Sequence, residues 1–275
     1  MPNGQARARA GVSSKLDTSL AHEARVYDYW LGGKDNYPAD RALGDTVAMH
    51  IPAIRDMARA NRAFLGRAVR HLARDAGIVQ FLDIGTGLPA AGNTHEVAQR
   101  IDPAARVVYV DNDPLVLAHA RALMASTPQG RIDFLDADLR DPHAILDAPA
   151  LADTFDPQQP IAILLVAVMM FFDDSEDPRG VIGRLLDAAP SGSYLVLTHF
   201  TEDFDARATA RAVAAARQAG IAFRARSRAE TESFFAGTEL VEPGVVPVDA
   251  WRPDADATPA QERSAWYWAG VGRKP

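Results

Sequence analysis

At 275 residues, 48% of them hydrophobic, the chain is long enough for one large α/β domain, or two small ones, around a sizeable core. Its net charge of −7 argues against a nucleic-acid partner, which calls for a basic footprint. It contains no cysteine, which removes disulfides, thiolate metal sites and cysteine nucleophiles and fits a reducing cytoplasm.

Residues 1–18 are small, polar and charged and are expected to be disordered; they carry arginines but no apolar segment of a secretory signal. Apolar positions recur at helical spacing from Leu20 to Leu31, where Gly32-Gly33 stops the helix. Pro38 suits the first residue of a second helix, ending near His50. Pro52 opens a longer one, with Met57, Phe64, Leu65, Ala68 and Leu72 along one face, closing at Gly77. A short apolar strand follows, Val79 to Ile84, and runs into a loop containing Gly85 and Gly87. Asn93 to Glu96 reads as a helix N-cap with a capping-box partner three residues on. Further strands are expected at Arg106–Val110, Ile132–Leu135, Ile161–Val168, Tyr194–Thr198, Leu240–Val248 and Ala265–Val271. Helices are expected at Pro114–Ser126, Pro178–Ala189, Phe204–Ala219 and from Ser227. The longest apolar run, Ile161 to Phe172, falls short of the ~18 residues of a membrane span. Strands alternating with helices predict a seven-stranded, mostly parallel sheet covered on both faces. The last two strands have no helix between them, so an antiparallel return is expected at that edge.

The strand, glycine turn and helix at Val79–Ala91 form the kind of cradle that binds ligands beyond the carboxyl ends of doubly wound sheets. Two ligands compete for it. Gly85-Thr86-Gly87-Leu88-Pro89-Ala90 fits the G-x-G-x-x-A dinucleotide fingerprint. Asp83-x-Gly85-x-Gly87 instead suits a ligand bearing an ammonium and a sulfonium, since a carboxylate there repels a pyrophosphate. Asp111, at the end of the second strand, is placed to accept hydrogen bonds from ribose hydroxyls in either reading. Asn112 and Asp113 are adjacent and are placed to line the adenine edge of a bound nucleoside, and Asp113 equally suits the cap of the helix opened by Pro114. Asp138 follows the third strand, putting an acid near the ends of three successive strands. His199, at the end of the fifth, is a weak candidate for a general base. Asp173-Asp174 follows the fourth strand without His or Glu spacing for a metal.

The segment Arg25-Val-Tyr-Asp-Tyr-Trp-Leu-Gly-Gly-Lys-Asp-Asn-Tyr37 resembles the N-terminal signature of a bacterial S-adenosyl methyltransferase family first catalogued as a domain of unknown function. Asp83 to Pro89, Asn93 to Ala98, Glu242 to Pro253 and Ala269 to Lys274 are similar to that family too. The resemblance covers nearly the whole chain after residue 18. It implies a class I, Rossmann-like methyltransferase core at residues 78–275, an N-terminal helical cap at 19–77, and S-adenosylmethionine as methyl donor. It implies no particular acceptor; a small molecule is expected. The implied donor-binding residues are Asp83, Gly85, Thr86, Gly87, Asp111, Asn112, Asp138 and Leu139, an acid at position 138 receiving the adenine amino group. Pro89 stands where generic class I enzymes carry a third glycine and cannot donate a hydrogen bond. The methionine end of the donor is therefore expected to be held by the signature, with Lys34 for its carboxylate or for the substrate and Tyr27, Asn36 and Tyr37 as a lid, Tyr27 and Trp30 equally suiting the buried face of a helix. The rivals are an NAD(P)-dependent oxidoreductase and a donor-binding protein without catalysis.

Overall fold

The computed structural model describes residues 17–254 and 265–275. The expectation of disorder for residues 1–18 lies outside the described residues up to residue 16; at its end, Ser19 donates from N–H and Oγ to Asp17 Oδ1 in a turn.

Three helices open the chain: α1 (Glu23–Leu31), α2 (Pro38–His50) and α3 (Ile54–Arg74). Gly32, at φ +84°, ends α1 in the left-handed conformation that glycine adopts without a Cβ penalty. The apolar stripe of α3, from Met57 through Phe64, Leu65, Ala68 and Leu72, is buried as its spacing requires.

The remainder alternates as β1 (Gln80–Ile84), α4 (Thr94–Gln99), β2 (Arg106–Asp111), α5 (Pro114–Leu123), β3 (Arg131–Asp136), α6 (Pro142–Leu146), α7 (Pro149–Thr154), β4 (Ala162–Val166), α8 (Pro178–Ala188), β5 (Tyr194–Phe200), α9 (Ala206–Gln218), α10 (Arg228–Glu232), β6 (Glu239–Leu240), β7 (Val246–Pro247) and β8 (Tyr267–Arg273). The sheet runs β3-β2-β1-β4-β5-β8-β6, with β7 also paired to β8. The first five strands are parallel, and β8 is antiparallel to β5, β6 and β7. The expected antiparallel return is therefore present, as eight strands rather than seven. The segment Leu240–Val248 is not one strand. It breaks at Glu242-Pro243-Gly244, where Gly244 has φ +81°, and its halves meet β8 at Glu239↔Arg273 and Val246↔Ala269. Strand β4 stops at Val166 rather than Val168 because Ala167 turns to φ +58° and the chain enters a short 3-10 turn, Met169–Phe171. Helices α6 and α7, absent from the sequence reading, each begin on a proline.

Both sheet faces are covered. In β4, Ala162 and Leu164 join the core shared with α3 and α9, while Ile163 and Leu165 join the core shared with α8. Continuous apolar strands arise from this two-sided burial. Because α3 shares the first of these cores with β1, β4 and β8, the expected division between residues 77 and 78 passes through packed side chains. No helix among the described residues is long and apolar enough to cross a membrane.

Candidate functional site

The parallel strands β1, β2 and β4 end at one edge, and a cleft opens there beneath α1 and α3. Gly85 and Gly87 turn the chain at φ +70° and +67°. A Cβ on Gly85 would stand 2.6 Å from Val168 Cγ2, so this position needs glycine on two grounds. The turn is pinned to β2: Gly85 N–H donates to Val110 O at 2.8 Å, and Gly87 N–H to Asp111 Oδ2 at 2.9 Å. Asp111 Oδ1 accepts from Asp113 N–H at 2.9 Å. Burial pushes the Asp111 carboxyl up to about 6, against the opposing pull of those two N–H groups. Of the two readings of Asp113, the cap is the one formed: its side chain accepts from Leu115 N–H at 2.8 Å.

Asp83 is buried in the same wall and accepts from Thr94 Oγ1 at 2.6 Å. Burial raises its carboxyl above the ordinary range, and the Thr94 hydroxyl and Arg62 oppose the rise. Asn93 does occupy the N-cap position of α4, but the expected capping box does not form. Its Oδ1 instead accepts from Ala90 N–H and Arg62 Nη2, while Glu96 accepts from Gly92 N–H and Asn93 Nδ2. These bonds brace the non-helical segment Pro89–Gly92. Helix α4 therefore begins after the N-cap expected at Asn93.

At the opposite end, Asn112 Nδ2 donates to Asp138 Oδ2 at 3.1 Å, and Asp138 Oδ1 accepts from Arg140 N–H at 2.9 Å. Leu139 is buried behind them. Arg140 also reaches Glu176 and Phe171 O, and lies 4.6 Å above the Phe172 ring.

The N-terminal signature behaves differently from its sequence reading. Tyr27 lines the cleft, donating from its hydroxyl to Ala58 O at 3.0 Å and accepting from Asn61 Nδ2 at 2.9 Å. Lys34 does not line it. Asp28 accepts from Asp35 N–H and Asn36 Nδ2, and folds the loop back so that Lys34 faces solvent. A Cβ on Gly33 would collide with Asp28, so the double glycine serves this fold-back. Asn36 and Tyr37 are likewise outside the cleft wall, which corrects their reading as a lid. Arg25 is buried in an ion pair with Asp40 at 3.1 Å, and Asp40 also accepts from His22 N–H and Tyr37 N–H.

Two residues of α3 were missed by the sequence reading. Asn61 and Arg62 line the cleft, and among the described residues buried Asn61 Oδ1 and buried Arg62 Nε have no hydrogen-bond partner. The signal was present: Asn61 falls on the apolar stripe between Met57 and Phe64, where a polar side chain needs a reason.

His199 is also corrected. It does not line the cleft; its Nδ1 bonds Phe200 O at 2.8 Å and its Nε2 accepts from Arg226 Nη1 at 2.8 Å. Burial drives its pKa down to about 4. Neither ring nitrogen is available as a base. Asp173 caps a short turn, accepting from Ser175 N–H, and Asp174 is paired with Arg224 and Arg226. No group of three acidic, His or Cys side chains among the described residues is arranged for a metal.

The cleft holds about 1090 Å³ of empty space, its open mouth included. Its wall carries five carboxylates (Glu23, Asp28, Asp83, Asp111, Asp138) against two guanidinium groups, Arg62 and Arg140. Arg140 is already engaged by Asp138 and Glu176. Such a wall favours a ligand with cationic centres and hydroxyl donors and disfavours a pyrophosphate.

Residues 9–275 match the S-adenosyl methyltransferase family. A DUF574 family protein from Streptomyces avermitilis is 48% identical, with a TM-score of 0.92 over 94% of this chain and 99% of that one. A candidate methyltransferase from Thermobifida fusca is 44% identical, with a TM-score of 0.86 over 97% of this chain and 99% of that one. An O-methyltransferase family protein from Burkholderia thailandensis, 17% identical, shares the fold at a TM-score of 0.52 over 80% of this chain and 60% of that one. None of the curated proteins matches. The sheet with its antiparallel β8, the glycine turn and a match over nearly all its length give one conclusion: the chain belongs to the S-adenosyl methyltransferase family and has the class I methyltransferase fold.

Proposed function

We propose that the protein is an S-adenosylmethionine-dependent methyltransferase acting on a small-molecule acceptor in the cytoplasm. The observation that carries this reading is the pair of buried, unpartnered polar atoms on α3, Asn61 Oδ1 and Arg62 Nε, on two residues that line the same cleft as Asp111. An acceptor oxygen beside a guanidinium N–H matches the ammonium and carboxylate of an amino acid, and a buried polar atom is costly to leave unpaired. Asp83 adds a carboxylate for the ammonium. At the other end, Asp111 accepts from the ribose hydroxyls, and Asn112, Asp138 and Leu139 surround the adenine. Gly85, Thr86 and Gly87 let the backbone approach the donor closely. Tyr27 closes the cleft from α1. In this reading residues 19–77 act as the cap over a core at 78–275, although α3 is packed into both. When bound, S-adenosylmethionine supplies an activated methyl group, so this chain contributes mainly by positioning. The carboxylate-lined wall counts against the NAD(P) alternative.

Thermal unfolding with S-adenosylmethionine, S-adenosylhomocysteine, NAD and NADP tests this. A ligand at 100 times its dissociation constant stabilises by about 2.7 kcal/mol, a shift of roughly 5 °C or more at this size. A shift with the two adenosyl ligands alone is expected. A shift with NAD or NADP alone overturns the proposal. Turnover of any acceptor separates an enzyme from a protein that only binds the donor.

A further inference from the structure

A second cavity adjoins the cleft, enclosed by α1, α2, α9 and the 3-10 turn after β4, with about 590 Å³ of empty space, its mouth included. Glu23, Tyr27, Ala167 and Phe171 line both spaces, so the two meet there. The chamber wall is otherwise apolar, with Trp30, Met170, Phe200, Phe223 and Tyr267 among its residues. Its rings already pack edge to face: Phe200 with Phe223 at 5.3 Å, Phe171 with Phe223 at 5.7 Å, and Phe200 with Tyr267 at 5.4 Å. An apolar pocket with a few convergent polar groups is the usual form of a ligand site.

Among the described residues that line the chamber, Glu23 is the one with a formal charge. It sits in the first turn of α1 with its side chain about one-third exposed. The Tyr27 hydroxyl is already engaged with Ala58 and Asn61. Ala167, at the junction, is held at φ +58° while its N–H donates to Thr198 Oγ1 at 2.9 Å. A non-glycine residue in that conformation marks a place where surrounding structure imposes the backbone, and such places cluster at functional sites.

We infer that this chamber is the acceptor site and that it takes a flat, uncharged aromatic molecule bearing a hydroxyl or N–H group, held at the junction by one hydrogen bond to the Glu23 carboxylate. The inference rests on the proposed methyl transfer for the word acceptor, while the chamber's ligand chemistry stands on its own walls. Aromatic rings extend the edge-to-face cluster. An anionic ligand is disfavoured twice, by desolvation among apolar side chains and by repulsion from Glu23.

The test uses the full chain saturated with S-adenosylhomocysteine and two probes of one shape, 2-naphthol and 2-naphthoate, with calorimetric titration as the readout. Wild type is expected to bind 2-naphthol at least about tenfold more tightly than 2-naphthoate. Glu23→Gln should bring the two within about threefold by relieving the repulsion, a change that a merely structural role for Glu23 would not produce. Ala212→Phe fills the chamber from α9 without touching the cleft. It should weaken 2-naphthol by about tenfold or more and leave the affinity for S-adenosylhomocysteine unchanged. Ala216→Phe is the second filling variant should the first not fold. Absent 2-naphthol binding, equal affinity of wild type for the two probes, or undiminished 2-naphthol binding in a folded filling variant overturns the inference. A wild type that binds 2-naphthol selectively but ignores S-adenosylhomocysteine leaves the chamber's chemistry supported and counts against the donor assignment instead.

Discussion

At the glycine turn, the recognisable residues face the cleft. Asp83, Gly85, Thr86, Gly87 and Asp111 all line it, and the N–H groups of Gly85 and Gly87 fix the turn to β2. In the N-terminal signature the recognisable residues mostly face one another. Arg25 is closed into a buried pair with Asp40, and Asp28 ties Asp35 and Asn36 into the loop; of the signature, Tyr27, Asp28 and Leu31 line the cleft. The two regions are equally legible as motifs and differ in what the motif accomplishes. One motif lines the cleft, and the other assembles the element that stands over it. A dense signature is thus no guide to which of its residues touch anything bound.

The sharpest way to break this comparison is Asp40→Ala. Both partners of the Arg25–Asp40 pair are almost fully buried, and removing one strands the other charge, at a cost of about 3–5 kcal/mol of stability. Donor affinity of the folded fraction should stay within about threefold, because neither residue lines the cleft. Chemical denaturation and calorimetry with S-adenosylhomocysteine read the two quantities separately. A large loss of affinity with unchanged stability would place the signature in direct contact with the ligand.

Asp111 should behave in the reverse manner. Its carboxyl is raised from 3.8 to about 6 by burial, so the folded protein binds that proton more tightly than the unfolded chain does. The stability this contributes is complete below about pH 4 and is lost as the pH rises through 6; a shift of about two units corresponds to roughly 3 kcal/mol. Relative to wild type, Asp111→Asn should therefore gain on the order of 3 kcal/mol in unfolding free energy between pH 4 and 7. Donor binding has the opposite sign, since ribose hydroxyls are best accepted by the ionised form. Affinity for S-adenosylhomocysteine should fall by up to about tenfold per pH unit below 6 in wild type, and the Asp111→Asn profile should be shallower, with the Asp83 carboxyl left as a cleft group that still titrates. Unfolding and binding titrations from pH 4 to 8 check both.

Arg62→Leu carries the next effect. It removes the guanidinium proposed for the donor carboxylate, and a charge-assisted hydrogen bond of that kind is worth about 1.5–3 kcal/mol, or roughly tenfold to a hundredfold in affinity. The side chain also braces Asn93 at 2.9 Å, so the loop at Pro89–Gly92 must be shown intact, for which amide exchange of Ala90 and Gly92 serves.

Most of the fold was legible because the physics that sets it is local. Helix starts at Pro38, Pro114 and Pro178 and the apolar runs of β1, β2, β4 and β5 follow from backbone preference and two-sided burial. Among the elements missed, the short helices α6 and α7 carried a local signal, a proline at the first residue, while the strand breaks are decided over long distances. β6 and β7 are two residues each and exist through pairing with β8, and β4 ends early because the site bends Ala167. In the site, the acids at strand ends were readable from topology alone. Asn61 and Arg62 were not sought because α3 reads as a packing helix, although a polar side chain on its apolar stripe was visible. His199 was readable as a strand-end histidine, but Arg226, whose guanidinium occupies its Nε2, lies 27 residues further along the chain.

Lys34→Ala should have the smallest effect and is the cleanest check on the region where sequence and structure part. In the sequence, Lys34 is one of three lysines and stands beside the signature's double glycine, which made it the natural partner for a carboxylate. In the fold, Asp28 draws the neighbouring N–H of Asp35 and the Asn36 side chain inward, and position 34 is carried outward by the same turn. An exposed lysine outside the cleft contributes within about 0.5 kcal/mol of stability when truncated, and its loss should leave affinity for S-adenosylhomocysteine unchanged. The variant is informative because Lys34 and Arg62 compete for one role. If Lys34→Ala weakens the donor by tenfold or more while Arg62→Leu does not, the loop must close over the ligand on binding, and the carboxylate belongs to the signature rather than to α3.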